Sequence, residues 1–362
     1  MKTILLIAHL PPPVHGVSVI SENILKSKIL NSKYKLLKLN LSSSKSISQI
    51  GKKSIFKYLF VFRIATKLFF TLVAKKIDLV YLTISPSGFG FLKDSILVLL
   101  LKLFNKKIIF HIHGKGVNTY YQSLPRLFKF YYRLIFNNVS IILLSDILKK
   151  DLDFKKNIND IYFVNNGIKS QYLNKSKIKN KNNNPLKILF FSNIQESKGI
   201  FDLLNAIPSL KKKYGKSVNY ILAGDSESDN LIKKIEVLIH DNSIEDVVKL
   251  VGPKYKKDKE KLFASADIFI HPTLNDCFPL VLLEALKFGL PIVTTNEGAI
   301  SDIVTDRING LIVKKNCPSD ISENLSELIE NENLRSEMSE KNKKKFIKNF
   351  TSKTMEENLV EE

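Results

Sequence analysis

Twelve short apolar runs, separated by longer helical stretches, restrict this chain more than any other feature. Six lie in the first half: TILLIA (3–8), KLLKLNL (35–41), IDLVYLT (77–83), KIIFHI (107–112), VSIILLS (139–145) and IYFVN (161–165). Six lie in the second: LKILFFS (186–192), VNYILAG (218–224), VVKLVG (247–252), ADIFIHP (266–272), PIVTT (291–295) and GLIV (310–313). Runs this short and continuously apolar suit parallel strands buried on both faces. Helical stretches between them supply the crossovers, which predicts a doubly wound α/β domain, made twice. NKSKIKNKNNNPL (174–186) is polar, breaks at Pro185 and reads as a linker. The expected division is a Rossmann-like domain over 1–170, a linker over 171–185 and a second Rossmann-like domain over 186–362. The charged C-terminal tail reads as one or two helices, the last a candidate to pack back on the N-terminal domain. Two such domains leave a cleft between them, and open α/β sheets bind ligands at the carboxyl ends of their strands, so the cleft is the expected site.

Charge divides along the same line. Residues 1–185 hold 31 Lys+Arg against 7 Asp+Glu, and the remainder hold 25 against 28, within a net +21. Genome composition can inflate lysine everywhere, but it does not make acids scarce in one half. A basic domain points to an anionic partner: a phospholipid surface, a lipid diphosphate or nucleic acid. Two cysteines, Cys277 and Cys317, give neither a disulfide framework nor a zinc spacing, which fits a reducing, cytoplasmic compartment. SILVLLLKLF (95–104) is interrupted by Lys102 and falls far short of the ~20 residues a spanning helix needs. The opening MKTILLIAHLPPP has a brief apolar run and early prolines, and reads as a first strand rather than a signal peptide.

The motifs sit at strand ends. PPPVHGVS (11–18) places Gly16 where a helix begins, so backbone N–H groups can approach a phosphate, though no dinucleotide fingerprint is present. IIFHIHGKG (108–116) sends His111 and His113 to one face of a strand, His111 as a core residue and His113 at the edge, where a hydroxyl or phosphate could be met. In SNIQESKGIFDLL (192–204), Lys198 precedes an amphipathic helix: a diphosphate partner, or simply a solvated lysine at a turn. NDCFPLVLLEALKFGLPIVTT (275–295) is the strongest signal. Phe278-Pro279 marks a helix start, since Pro suits the first helical position. Asp276 lies just outside, Glu284 in the second turn, and Gly289 ends the helix. N–H groups near Phe278, Leu280 and Val281 face whatever sits at that end, where an anion is welcome. Carboxylates would repel a phosphate, so their partners are hydroxyls on either side of it.

In that order along nearly the whole chain, PPPVHGVS, HIHG, VNNGI (164–168), SNIQESKG, LAGDSES (222–228) and DCFPLVLLEALKFGLPIVTT resemble the GT-B glycosyltransferases of family 4, the glycosyl transferases group 1. The last matches that family's E-x7-E motif and is the most specific. The resemblance implies two Rossmann-like domains facing each other across a cleft. It also implies retaining transfer of a sugar from a nucleotide diphosphate sugar, UDP- or GDP-linked, to a glycan or a polyprenyl-diphosphate-linked acceptor. Glu284 matches the acid on the ribose hydroxyls, Asp276 the acid on the donor sugar, and Lys198 the lysine on the diphosphate. Gly16 matches the glycine loop facing that diphosphate, and His113 a histidine near the transferred sugar. Two positions depart: Asp276 stands where Glu is usual, and Asn193 where many members carry a phosphate-binding Arg, so Lys198 and the helix end must supply more of the charge.

Developing charge on the leaving diphosphate needs fixed donors, here Lys198, the Gly16 loop and helix N–H groups. No D-x-D motif stands at a strand end, and the expectation is no essential metal and no cofactor beyond the donor substrate. The aromatic-basic stretches 52–76 and 124–136 read as core-facing helices with solvated lysines, or as an amphipathic face on an anionic membrane. The second reading implies peripheral attachment to the inner face of the cytoplasmic membrane, in cell-surface polysaccharide or lipooligosaccharide assembly. A nucleotide-sugar epimerase of the same fold and a non-catalytic binder of an anionic ligand are the alternatives. No nucleic-acid module is present, so no nucleic-acid partner is expected.

Overall fold

The computed structural model describes residues 1–42, 55–154, 158–170 and 185–361. The expected linker therefore lies, but for Pro185, outside the described residues. The chain divides into two compact units, Met1–Gly167 with Ser352–Glu362, and Ile168–Thr351.

The first unit is built on β1 (Lys2–Ala8), β2 (Tyr34–Asn40), β3 (Leu79–Leu82), β4 (Ile108–Ile112), β5 (Ser140–Leu143) and β6 (Ile161–Phe163). They form one sheet in the order β2-β1-β3-β4-β5-β6, every pair parallel. Its inner strands are buried on both faces, with Ile7, Val80, Leu82 and Phe110 fully enclosed. Each such side chain contributes about 1.5–3 kcal/mol of burial. The edge strand β2 alternates Leu with exposed Lys35 and Lys38, charges that discourage a further strand. Its helices are α1 (Gly16–Lys26), α2 (Lys28–Lys33), α3 (Ile55–Ala74), α4 (Gly88–Leu103), α5 (Val117–Ser123) and α6 (Arg126–Phe136).

The second unit repeats the plan with β7 (Leu186–Phe191), β8 (Val218–Ala223), β9 (Val248–Gly252), β10 (Ile268–His271), β11 (Ile292–Thr295) and β12 (Gly310–Val313). The order is β12-β11-β10-β7-β8-β9, again all parallel. Between and after the strands run α7 (Ile200–Tyr214), α8 (Asp229–Asp241), α9 (Lys256–Ser265), α10 (Leu280–Phe288), α11 (Ile300–Ile303), α12 (Pro318–Glu330) and α13 (Glu332–Asn349). Ile188, Phe190, Leu222, Ile268 and Val293 form its core with the apolar stripe of α7.

The last helix, α14 (Ser352–Glu361), belongs to the first unit. Ser27 donates to Glu356 Oε2 (2.5 Å), and the Gly167 N–H points at the Met355 sulfur (3.3 Å).

Strand order fixes where ligands can sit. In the second unit the chain winds from β7 outwards through β8 and β9, then returns to place β10 on the other side of β7. The loops leaving β7 and β10 meet there at the strands' carboxyl ends, the place where open α/β sheets bind ligands. In the first unit the same reversal falls between β1 and β3.

Candidate functional site

The two loops at the second unit's reversal are tied to each other. Leu274 and Asn275 both donate backbone N–H bonds to Ser197 O (2.9 and 3.1 Å). Gly199 permits the approach: its φ is +73°, and a Cβ there would lie 1.9 Å from Pro272 O. No other residue fits without moving backbone.

This clamp brings Lys198 and Asp276 together, 78 residues apart in sequence. Asp276 Oδ2 accepts from Lys198 Nζ (2.9 Å), His271 Nε2 (2.9 Å) and Thr273 Oγ1 (3.1 Å). Lys198 Nζ also reaches Asn275 O (3.0 Å). Burial by itself would raise the Asp276 carboxyl, but the hydrogen bond and charge of His271, then the Lys198 ammonium, outweigh it and hold it at about 2. The side chains of Lys198 and Asp276 are only 16% and 17% exposed, so removing either leaves a poorly solvated charge. Neither His271 nor Thr273 was singled out from sequence. His271 repeats the strand-end position of His113, a signal that the continuous run IFIH hides by reading as core.

The helix after this loop begins one residue later than expected. Pro279 is the residue before the helix, with ψ 121°, and Leu280 is first. Pro279 O accepts the N–H of Leu282 (3.1 Å), the first bond of the turn. The N–H groups of Leu280 and Val281 precede that bond and lie at the positive end of α10. Phe278 is buried against Phe350, ring centroids 6.0 Å apart, so its side chain is core and only its backbone is left for a ligand. Glu284 is half-buried on α10 and pairs with Lys259 Nζ of α9 at 2.6 Å. Lys259 also lies over the Phe191 ring (4.7 Å). It went unnoticed in sequence because α9 reads as a charged surface helix. Asn193 is exposed in the turn after β7.

The first unit gathers histidines instead of acids. Gly16 opens α1 after His15, whose N–H donates to Ser18 Oγ (2.9 Å). His111 and His113 stack at 3.9 Å between ring centroids, on one face of the chain as alternation predicts. His111 is core, paired with the Tyr81 hydroxyl. Neither ring nitrogen of His113 has a well-aligned hydrogen-bond partner, although Asn166 lies beside it. Burial holds His113 down at about 4 and His9 at about 3, the latter helped by Lys93, whose Nζ is 3.3 Å from His9 Nε2. His15 and His111 are lowered by burial too. The imidazoles are therefore neutral at pH 7, and His9 joins Gly16 and His113 in the cluster, together with Lys93, which is ion-paired with buried Asp94 (3.2 Å).

Two parallel six-stranded α/β units of this order define the GT-B fold. HepE of Anabaena, solved in complex with UDP, superposes with a TM-score of 0.77 over 100% of this chain and 99% of that one, at 16% identity. Residues 172–345 match the family model described as Glycosyl transferases group 1. An uncharacterized glycosyltransferase of Methanocaldococcus jannaschii is 30% identical over 251 residues, 68% of this chain and 66% of the relative. The capsular polysaccharide biosynthesis glycosyltransferase CapM of Staphylococcus aureus is 27% identical over 177 residues, 49% of this chain and 45% of CapM. The chain thus spans just under two thirds of the length of the first of these curated relatives and under half of CapM.

Proposed function

We propose that this chain is a retaining, metal-independent glycosyltransferase of family 4, moving a sugar from a nucleotide diphosphate sugar to a glycan or lipid-linked glycan in polysaccharide assembly. One observation carries the reading: an ionised carboxylate, a lysine and an imidazole converge at the second unit's strand reversal, within the segment that matches the group 1 family. Support for the donor class comes from the UDP bound in HepE, and for polysaccharide assembly from CapM.

Asp276, held at about 2, is no general acid near neutral pH. Its Oδ2 is taken by three donors, which leaves Oδ1 to accept from a sugar hydroxyl. That answers the shortened side chain: the carboxylate is anchored by His271 and Thr273 instead of reaching further. Lys198 is ion-paired with Asp276, so it meets the diphosphate already oriented. When the bond from the anomeric carbon to the diphosphate breaks, its electron pair moves to the departing oxygen. Lys198 and the N–H groups of Leu280 and Val281 stabilise that charge without reorganising. Glu284, its charge balanced by Lys259, accepts from the ribose hydroxyls. Gly16 and His113 are assigned to the diphosphate and the transferred sugar.

Thermal shift against a panel of UDP-, GDP- and ADP-sugars tests the donor, since only a bound ligand raises the midpoint. No stabilisation by any of them would reject the assignment. The anomeric configuration of the product, read by NMR, decides retention, and sugar isomerisation without acceptor would favour an epimerase.

A further inference from the structure

The first unit carries a surface that its core does not explain. Helix α3 has two apolar stripes. Val61, Ile64, Leu68 and Leu72 recur every three or four residues and are buried. Leu59, Phe62, Phe70 and Val73 form a second stripe on another side and are exposed, Phe62 by 74%. Helix α4 repeats the pattern: Phe89, Leu92, Ile96, Leu99 and Leu103 follow a three-four spacing along its whole length, all exposed, Leu103 by 80%. On α6, Leu127, Phe128, Phe130 and Leu134 are exposed, Leu127 by 76%.

These three helices are neighbours. Phe69 of α3 meets Phe104 at the end of α4, with ring centroids 5.7 Å apart. Tyr131 of α6 donates to Ser95 of α4 (2.7 Å), and Lys102 of α4 donates to the backbone of Leu134. The exposed stripes therefore belong to one helical layer of the first unit, and a monomeric soluble domain rarely leaves so much contiguous apolar surface uncovered.

Charge says what covers it. From Ile55 to Phe136 the sequence has 13 Lys+Arg and only two acids, Asp78 and Asp94. Asp94 is fully buried, and Asp78 is engaged with the backbone N–H of Thr3 (2.7 Å). Arg63, Lys67, Arg126 and Arg133 are exposed on the same helices as the apolar stripes. A second copy of this face would bring like charge onto like charge. An anionic bilayer offers both complements, headgroup charge for the cations and acyl boundary for the Phe and Leu side chains. No described helix is long and apolar enough to cross a membrane, so the contact is interfacial.

We propose that the α3–α4–α6 layer is a docking surface for an anionic lipid bilayer, inserting the exposed Phe and Leu side chains and resting its arginines and lysines on the headgroups. The proposal stands on the first unit alone and holds whether or not the donor assignment does.

Sedimentation with phosphatidylglycerol-containing vesicles against pure phosphatidylcholine vesicles tests it on the full chain. The expected result is at least tenfold tighter binding to the anionic vesicles, weakened by 0.5 M salt, on the order of the loss that several released lipid contacts produce. F62S/F70S and R63E/K67E/R133E should each lose tenfold or more. All five side chains are at the surface, so an unchanged melting temperature certifies the fold. Equal binding to both vesicles, or variants that bind like the parent, would overturn the proposal. So would a concentration-dependent dimer, seen by light scattering and abolished by F62S/F70S, with vesicle binding intact; that would make the face a contact between copies.

Discussion

The two units use one architecture for different electrostatics. Each is a six-stranded parallel sheet whose order reverses beside its first strand. At that reversal the first unit assembles His9 and His15 with Lys93 and His113, and burial keeps the histidines neutral. The second unit assembles a carboxylate that His271 and Lys198 keep charged against its burial. Topology therefore locates a crevice, and the residues at the strand ends decide its chemistry. Neutral imidazoles beside a buried Lys93–Asp94 pair are suited to hydroxyl groups, whereas the Lys198–Asp276 pair is arranged to meet developing charge.

Acid should separate the units most strongly. His9 and His113 have folded values of about 3 and about 4, below the usual 6.5. The unfolded chain therefore takes up protons first, and the first unit's stability is complete above pH 6.5 and declines as pH falls towards those values. The loss is on the order of 1.4 kcal/mol per pH unit for each histidine. Asp276 is depressed from 3.8 to about 2, so its contribution is complete above 3.8 and lost only as pH falls through about 2. Urea unfolding with peptide-resolved proteolysis at pH 7 and pH 5 should show β1 and β4 weakening while β7 and β10 hold. Equal weakening of both sets would erase the contrast.

Next in size is Lys198→Ala, which should lower kcat by ~10²–10³, about 3–4 kcal/mol, as for a lost oxyanion donor. A variant that keeps most of its rate would move the charge-stabilising role elsewhere. His271→Gln sharpens the comparison further. It removes the leading favourable influence on a carboxylate that burial pushes up, at a cost of about 1.5–3 kcal/mol in the second unit. The Asp276 carboxyl should then titrate higher by NMR; an unmoved titration would mean that Lys198 and Thr273 suffice. Smallest is Lys259→Met. It should cost about 1–2 kcal/mol in stability, because it strips the partner from a Glu284 Oε2 that is shielded from solvent. Its mark should be on nucleotide affinity by calorimetry, with kcat nearly intact.

All twelve strands were legible, the inner ones because a strand buried on both faces writes its own continuous apolar run, and the edge strand β2 because its leucines recur between exposed lysines. The helix ends were less so: Pro279 marks the start of α10 from one position outside it, since its ψ is extended. The pairing of Lys198 with Asp276 was not readable as a contact, because it follows from the order of strands, and periodicity carries no information about order. His271 and Lys259 were missed for different reasons, one concealed in an apolar strand and the other in a polar helix. In α3 the two apolar stripes together cover so much of the helix that the sequence cannot say which is core. Only packing assigns Leu68 to the interior and Phe70 to the surface. The linker expected over 171–185 falls almost wholly outside the described residues.

The return of α14 to the first unit has a consequence for biosynthesis. The unit that begins at Met1 needs Ser352–Glu361 to be whole, and those residues leave the ribosome after the entire second unit. The first unit is thus started before its neighbour and finished after it. Until α14 arrives, it must wait with the seat of that helix open, while its neighbour can fold from a continuous stretch of chain.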